Sequence, residues 1–229
     1  MFFFDSAYVW MVLIPSLILS FGAQMFVKSA YSKWGQARNS GNLTGLDVGQ
    51  RIARSCGLSD VRFEGIAGQL TDHYDPSSHI VRLSQDIATK PSVAAMAIVA
   101  HELGHAQQHA EKSPLIAMRG FLVPAMRFSP TLSYMMIFAG LIFNMLELAW
   151  LGIGFFGVVV LFMLLTLPVE LDASRRGMAL LSQSGLLSDS RDASSSKQML
   201  TAAALTYVAA FVTALLTLLY YVSLVSRRN

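Results

Sequence analysis

His101, Glu102 and His105 form the pentapeptide His101-Glu102-Leu103-Gly104-His105, an H-E-x-x-H spacing that can do chemistry if it lies on a helix. Residues four apart stack on one helical face, about 6 Å apart along the axis, so both imidazoles reach one metal ion. Glu102 is rotated off that line, where its carboxylate can take the proton of a water that the metal activates. The apolar run Met96–Ala100 leads into the motif without a break, which is the mid-helix setting this chemistry needs. Five residues with three fixed positions also occur by chance, so the setting carries as much weight as the letters.

A catalytic zinc ion takes three protein ligands and keeps one position open. His109 continues the four-residue series, but it lies about 12 Å along the axis from His101 and about 80° around it. A straight helix cannot bring all three imidazoles to one ion. His109 therefore reads as a neighbour of the site rather than a ligand. Glu111 is too close in sequence to fold back, and Glu147 falls at the opposite face of the membrane from the motif. Glu170 and Asp172 follow directly on an apolar run and emerge on the motif's side. Charges at such a place ordinarily mark only a membrane edge. Beside a site that lacks one anionic ligand, Glu170 is the best candidate. Candidates for steadying the reacting oxygen are His73, Tyr74, Arg175 and Arg176. The plainer reading of His73 and Tyr74 is an ordinary turn, and that of the two arginines is contact with lipid headgroups.

The elements that must position these residues divide between membrane and water. Of the 229 residues, 54% are hydrophobic and only 14% charged, and the mean hydropathy is +0.50. That is not the composition of a soluble domain. Residues 7–27 make a first transmembrane helix, retained rather than cleaved, since no Lys or Arg precedes it and no small-x-small site follows. Residues 28–114 carry the features of a catalytic domain. Thr44 caps a helix over Gly45–Ser55, Val61–Glu64 and His79–Leu83 alternate like the strands of a short antiparallel sheet, and Val93–His109 is the motif helix. Residues 115–169 hold an interfacial helix and two spans, 170–198 the third-ligand helix and a polar loop over Ser188–Lys197, and 199–224 a fourth span. The expected fold is thus mainly α, with about four transmembrane helices and a small α+β zincin-like domain. His79–Leu83 is also the strand expected to offer an edge to an extended peptide.

With four spans, fifteen of the seventeen Lys and Arg residues lie on the motif's side, which puts the active site in the cytoplasm. The basic residues do not cluster with interleaved aromatics, so nucleic acid is excluded as a partner. The single cysteine, Cys56, allows neither an internal disulfide nor a Cys-rich zinc site. Spans almost free of ionisable residues argue against a transporter. A non-proteolytic scaffold or chaperone-like protein that keeps a zinc site is the competing reading, although such a protein would more often have lost Glu102.

Three motifs in order, L-T-D-H-Y-D-P, A-H-E-L-G-H-A-Q-Q-H and L-P-V-E-L-D-A-S-R-R, resemble the YugP-type neutral zinc metallopeptidases of bacterial membranes, with similarity from about Tyr31 to Tyr221. The resemblance implies a protease of the bacterial plasma membrane with one catalytic zinc held by His101, His105 and Glu170. It implies Glu102 as the catalytic carboxylate and a peptide or membrane protein as substrate. It extends distantly to the gluzincin membrane proteases of the HtpX-like and CAAX prenyl protease groups. Those place an Asp four residues after the glutamate ligand, where this chain has Ser174, so Asp172 is left to orient a ligand histidine. Oligomeric state is not legible in the sequence.

Overall fold

The computed structural model describes residues 5–228, and they are mainly helical. The chain divides into two compact units. One holds residues 5–24, 117–168 and 205–228, and the other residues 25–116 and 169–204.

In the first unit, α1 (Ser6–Tyr8) and a π-helical turn (Val9–Leu13) lead into α2 (Ile14–Gln36). Three helical runs are long and apolar enough to cross a membrane: Ser6–Gln36, α8 (Leu146–Gln183) and α9 (Ser190–Ser226). The sequence suggested four. The segment read as the second span forms α7 (Ser129–Ile142), and α6 (Pro114–Met126) stands where the interfacial helix was expected. At 14 residues, α7 is about 21 Å long, short of a bilayer core by itself. Glycines let α7 lie backbone to backbone on α8. A Cβ on Gly152 would stand 2.7 Å from the Ile137 amide and 2.8 Å from the Ser133 carbonyl. Trp10, Ile18, Phe21, Phe121, Phe143 and Leu151 are exposed, an outward apolar surface that suits lipid rather than water.

The second unit packs α3 (Gly45–Ser55), α4 (Gln85–Thr89), α5 (Val93–Ala110) and a three-stranded sheet around Val48, Ile52, Val81, Leu83, Met96, Val99 and Leu103. Thr44 and Asp47 close a reciprocal capping box at the start of α3, and the Ser92 hydroxyl accepts from the Ala95 amide to start α5.

The sheet comprises β1 (Arg62–Ile66), β2 (His73–Asp75) and β3 (Ile80–Ser84) in the order β1-β3-β2. It is mixed, not antiparallel: β1 runs parallel to β3, and only β2 is antiparallel to it. The cause is the segment between the two alternating runs. It is long enough for the crossover that a parallel pair requires, and it contributes β2 on the way. The strand expected as an open edge, β3, is therefore central and buried, while β2 is an edge. His79 lies outside β3, at φ +56° in the turn. Two aspartates anchor β2. Asp72 Oδ1 accepts from the Ser84 amide at 2.7 Å. Asp75 accepts from the Ser77 and Ser78 hydroxyls and from Arg82. Those bonds, the Ser77 hydroxyl foremost, hold the Asp75 pKa well below the usual carboxylate range.

The expected polar loop over Ser188–Lys197 is a correction too, since α9 begins at Ser190. Asp189 Oδ1 accepts from the Arg191 amide at 2.8 Å, a helix-starting bond. Asp192, Ser195 and Ser196 are buried, and Asp192 accepts from the Ser40 amide at 2.7 Å.

Candidate metal centre

All parts of the site lie in the second unit: the motif on α5, β2, and the stretch of α8 from Val169 onward. Helix α5 reaches α8 through small residues. A Cβ on Gly104 would fall on the Ala173 carbonyl, and one on Gly177 would stand 2.8 Å from the Ala100 carbonyl. Backbones this close bring a short Glu side chain from α8 to the imidazoles of α5. Gly104→Ala is expected to destabilise the protein by about 1–3 kcal/mol through overpacking, measured by thermal or denaturant unfolding. Gly35→Ala is the control: nothing lies within 4 Å of a Cβ there, so the change should be neutral or slightly stabilising. Equal stability of the two variants would show that the helices have room at Gly104.

The rings of His101 and His105 meet edge to face, with centroids 4.8 Å apart. Glu170 Oε2 lies 3.3 Å from His101 Nε2 and 3.5 Å from His105 Nε2. Glu170 is only 4% exposed, and its Oε2 makes no hydrogen bond. An ionised oxygen buried without a donor is costly, and a cation resolves it. The two carboxylate–imidazole separations fit zinc, since two ligand atoms each about 2.1 Å from a tetrahedral ion stand about 3.4 Å apart, and the three ligand atoms all lie within 4.8 Å of one another. Among the described residues, these three are the one group of His, Cys, Asp or Glu side chains that could hold a metal ion.

The outward nitrogens of the imidazoles are engaged. His101 Nδ1 lies 3.1 Å from the Ser174 hydroxyl, and His105 Nδ1 lies 3.0 Å from Gln108 Oε1. Glu102 is 8% exposed, and its Oε2 accepts from the Tyr74 amide of β2 at 2.9 Å. Burial pushes the Glu102 pKa up from the ordinary carboxylate range, opposed by the two imidazoles and the Tyr74 amide.

The remaining candidates separate. Asp172 accepts from Gln108 Nε2 at 2.8 Å and from Arg176 Nε at 2.7 Å, so it reaches His105 only through Gln108. Arg176 is committed to Asp172 and Glu111, while Arg175 is exposed. The Tyr74 hydroxyl points to His79 and His109, at 3.5 and 3.4 Å from their Nδ1 atoms. His73 Nδ1 is bonded to the Thr71 carbonyl at 2.8 Å. His109 stays outside the cluster, as the helix geometry required. Sequence reasoning passed over Gln108 and the bond made by Ser174. The signal for Gln108 was its place three residues after His105, on the same face.

Residues 9–226 match the model of a protein family described as "putative neutral zinc metallopeptidase". The chain belongs to this family. It is 38% identical over 209 residues to a protein of Bacillus subtilis (strain 168) named "Putative membrane protease YugP", covering 91% of this chain and 92% of that relative. No solved structure matches.

Proposed function

We propose that the chain is a membrane-embedded zinc endopeptidase, with one ion held by His101, His105 and Glu170. The observation that carries this reading is the buried Glu170 Oε2, unbonded and facing two imidazole Nε2 atoms at tetrahedral-zinc spacing. When bound, zinc lowers the pKa of a water toward about 7 and polarises the scissile carbonyl. Glu102 takes the nucleophile's proton on Oε1 and hands it to the leaving amine, while the Tyr74 amide holds Oε2. Because that amide belongs to the edge strand β2, an extended peptide aligned along β2 lies beside the general base.

Membrane sidedness follows from parity. If the apolar part of α8 crosses the bilayer and delivers Glu170 to the motif's side, the chain between Ala110 and Leu146 must cross as well. Helices α6 and α7 together supply that passage, for four crossings in all. The excess of Lys and Arg on the motif's side supports a cytoplasmic position for the catalytic unit, residues 28–114 with the α8 extension.

The test is metal removal. The purified chain should carry about one zinc per molecule and cleave casein or a denatured membrane protein. A chelator should abolish cleavage, and added zinc should restore it. Full zinc loading without cleavage of any peptide would favour the scaffold reading.

A further inference from the structure

Gln108 is fully buried, an uncommon place for a primary amide, and its polar atoms are committed. Nε2 donates to the Val169 carbonyl at 2.9 Å and to Asp172 Oδ2 at 2.8 Å. Oε1 faces His105 Nδ1 at 3.0 Å. An amide can be turned end for end, but here the reversed group would set its oxygen against a carbonyl and a carboxylate, neither of which donates. The orientation is fixed by its neighbours.

The consequence passes to the metal site. Since Oε1 only accepts, His105 Nδ1 must carry a hydrogen, and in the neutral, metal-binding ring Nε2 then presents the lone pair. His101 is held differently. Its partner is the Ser174 hydroxyl, which donates or accepts as its proton rotates and so dictates no tautomer. Asp172 in turn is gripped by Arg176, which also reaches Glu111 at 2.6 Å. Bonds thus run from His105 through Gln108 and Asp172 to Arg176 and Glu111, whose side chain is 51% exposed.

We infer that Gln108 is the positioning residue for His105. It sets the tautomer and ring orientation with which His105 binds the metal, and Asp172 acts on the site at one remove by holding Gln108. The inference rests on the zinc-binding reading given above. Partners of ligand histidines typically change metal affinity 10–100-fold.

The experiment measures zinc affinity of the full chain in detergent by competition with a chromophoric chelator, and the visible spectrum of the cobalt-loaded protein. Gln108→Leu should bind zinc about 10–100-fold more weakly, with a shifted cobalt band. The double exchange Gln108→Glu with Asp172→Asn returns an acceptor to His105 Nδ1 and a donor from residue 172, but it sets an oxygen against the Val169 carbonyl, so it should recover only part of the loss. Ser174→Ala should cost less than Gln108→Leu. If Gln108→Leu fails to fold, Asp172→Ala decides: it removes the acceptor that holds Gln108 Nε2 and should weaken zinc binding, and the Asp172 side chain is 25% exposed. Affinity within about twofold of the natural chain in Asp172→Ala and in any folded Gln108→Leu, with unchanged cobalt spectra, overturns the inference and leaves the zinc site standing. A natural chain that binds no zinc overturns the underlying reading instead.

Discussion

Replacing Glu170 with alanine is expected to leave a chain that folds yet purifies with zinc far below one ion per molecule. Two imidazoles four residues apart on one helix remain, and a catalytic zinc site needs three protein ligands. The affinity loss should exceed the roughly 10–100-fold typical of removing a ligand's hydrogen-bond partner, because a bond to the metal itself is lost. Folding has less reason to suffer. Glu170 is an anion buried to 4% exposure, and its removal also removes the cost of keeping that charge from water. The measurement is zinc per chain by mass spectrometry after gel filtration, with circular dichroism to confirm helix. Glu147→Ala, at the first turn of α8, is the control and should keep full loading. Stoichiometric zinc in Glu170→Ala would move the third ligand elsewhere, and Asp172 would be the first to examine.

What the sequence disclosed followed from periodicity. Spacing put His101 and His105 on one face of a helix and His109 away from it, and the rings of the first two meet as that geometry requires. Glu170 could be singled out because it follows an apolar run directly, and α8 continues through it without interruption. The sheet was less legible. Two alternating runs were visible, but β2 is three residues long, too short for alternation to register, and it decides which strand is the edge. The start of α9 was hidden for another reason. Ser and Asp ordinarily favour turns, whereas Ser195, Ser196 and Asp192 are buried here, so tertiary packing overrides local preference. The crossing of α5 and α8 left almost no trace. Gly104 sits in an Ala-rich helix and Gly177 follows two arginines, and nothing local marks them as the places where two backbones touch. Yet that contact sets how far Glu170 stands from the histidines.

Exchanging Glu102 for glutamine separates holding a metal from using it. The variant is expected to retain about one zinc per chain while its turnover on casein falls by about 10²–10⁴, the usual contribution of a positioned general base. Metal loading should survive because Glu102 is not among the residues grouped around the metal position. Structure should survive as well, since a glutamine oxygen can still accept from the Tyr74 amide and keep β2 on α5. Stability should not fall: burial penalises the charged carboxylate and pushes its pKa up, and a neutral side chain of the same shape escapes that penalty. What glutamine cannot do is carry the nucleophile's proton to the leaving amine. Loss of turnover with zinc and melting temperature unchanged therefore isolates proton transfer as the function of Glu102. Turnover equal to that of the natural chain would remove Glu102 from the mechanism. Loss of zinc together with turnover would instead mean that the carboxylate helps to build the site, with its bond to Tyr74 drawing β2 into place around the metal.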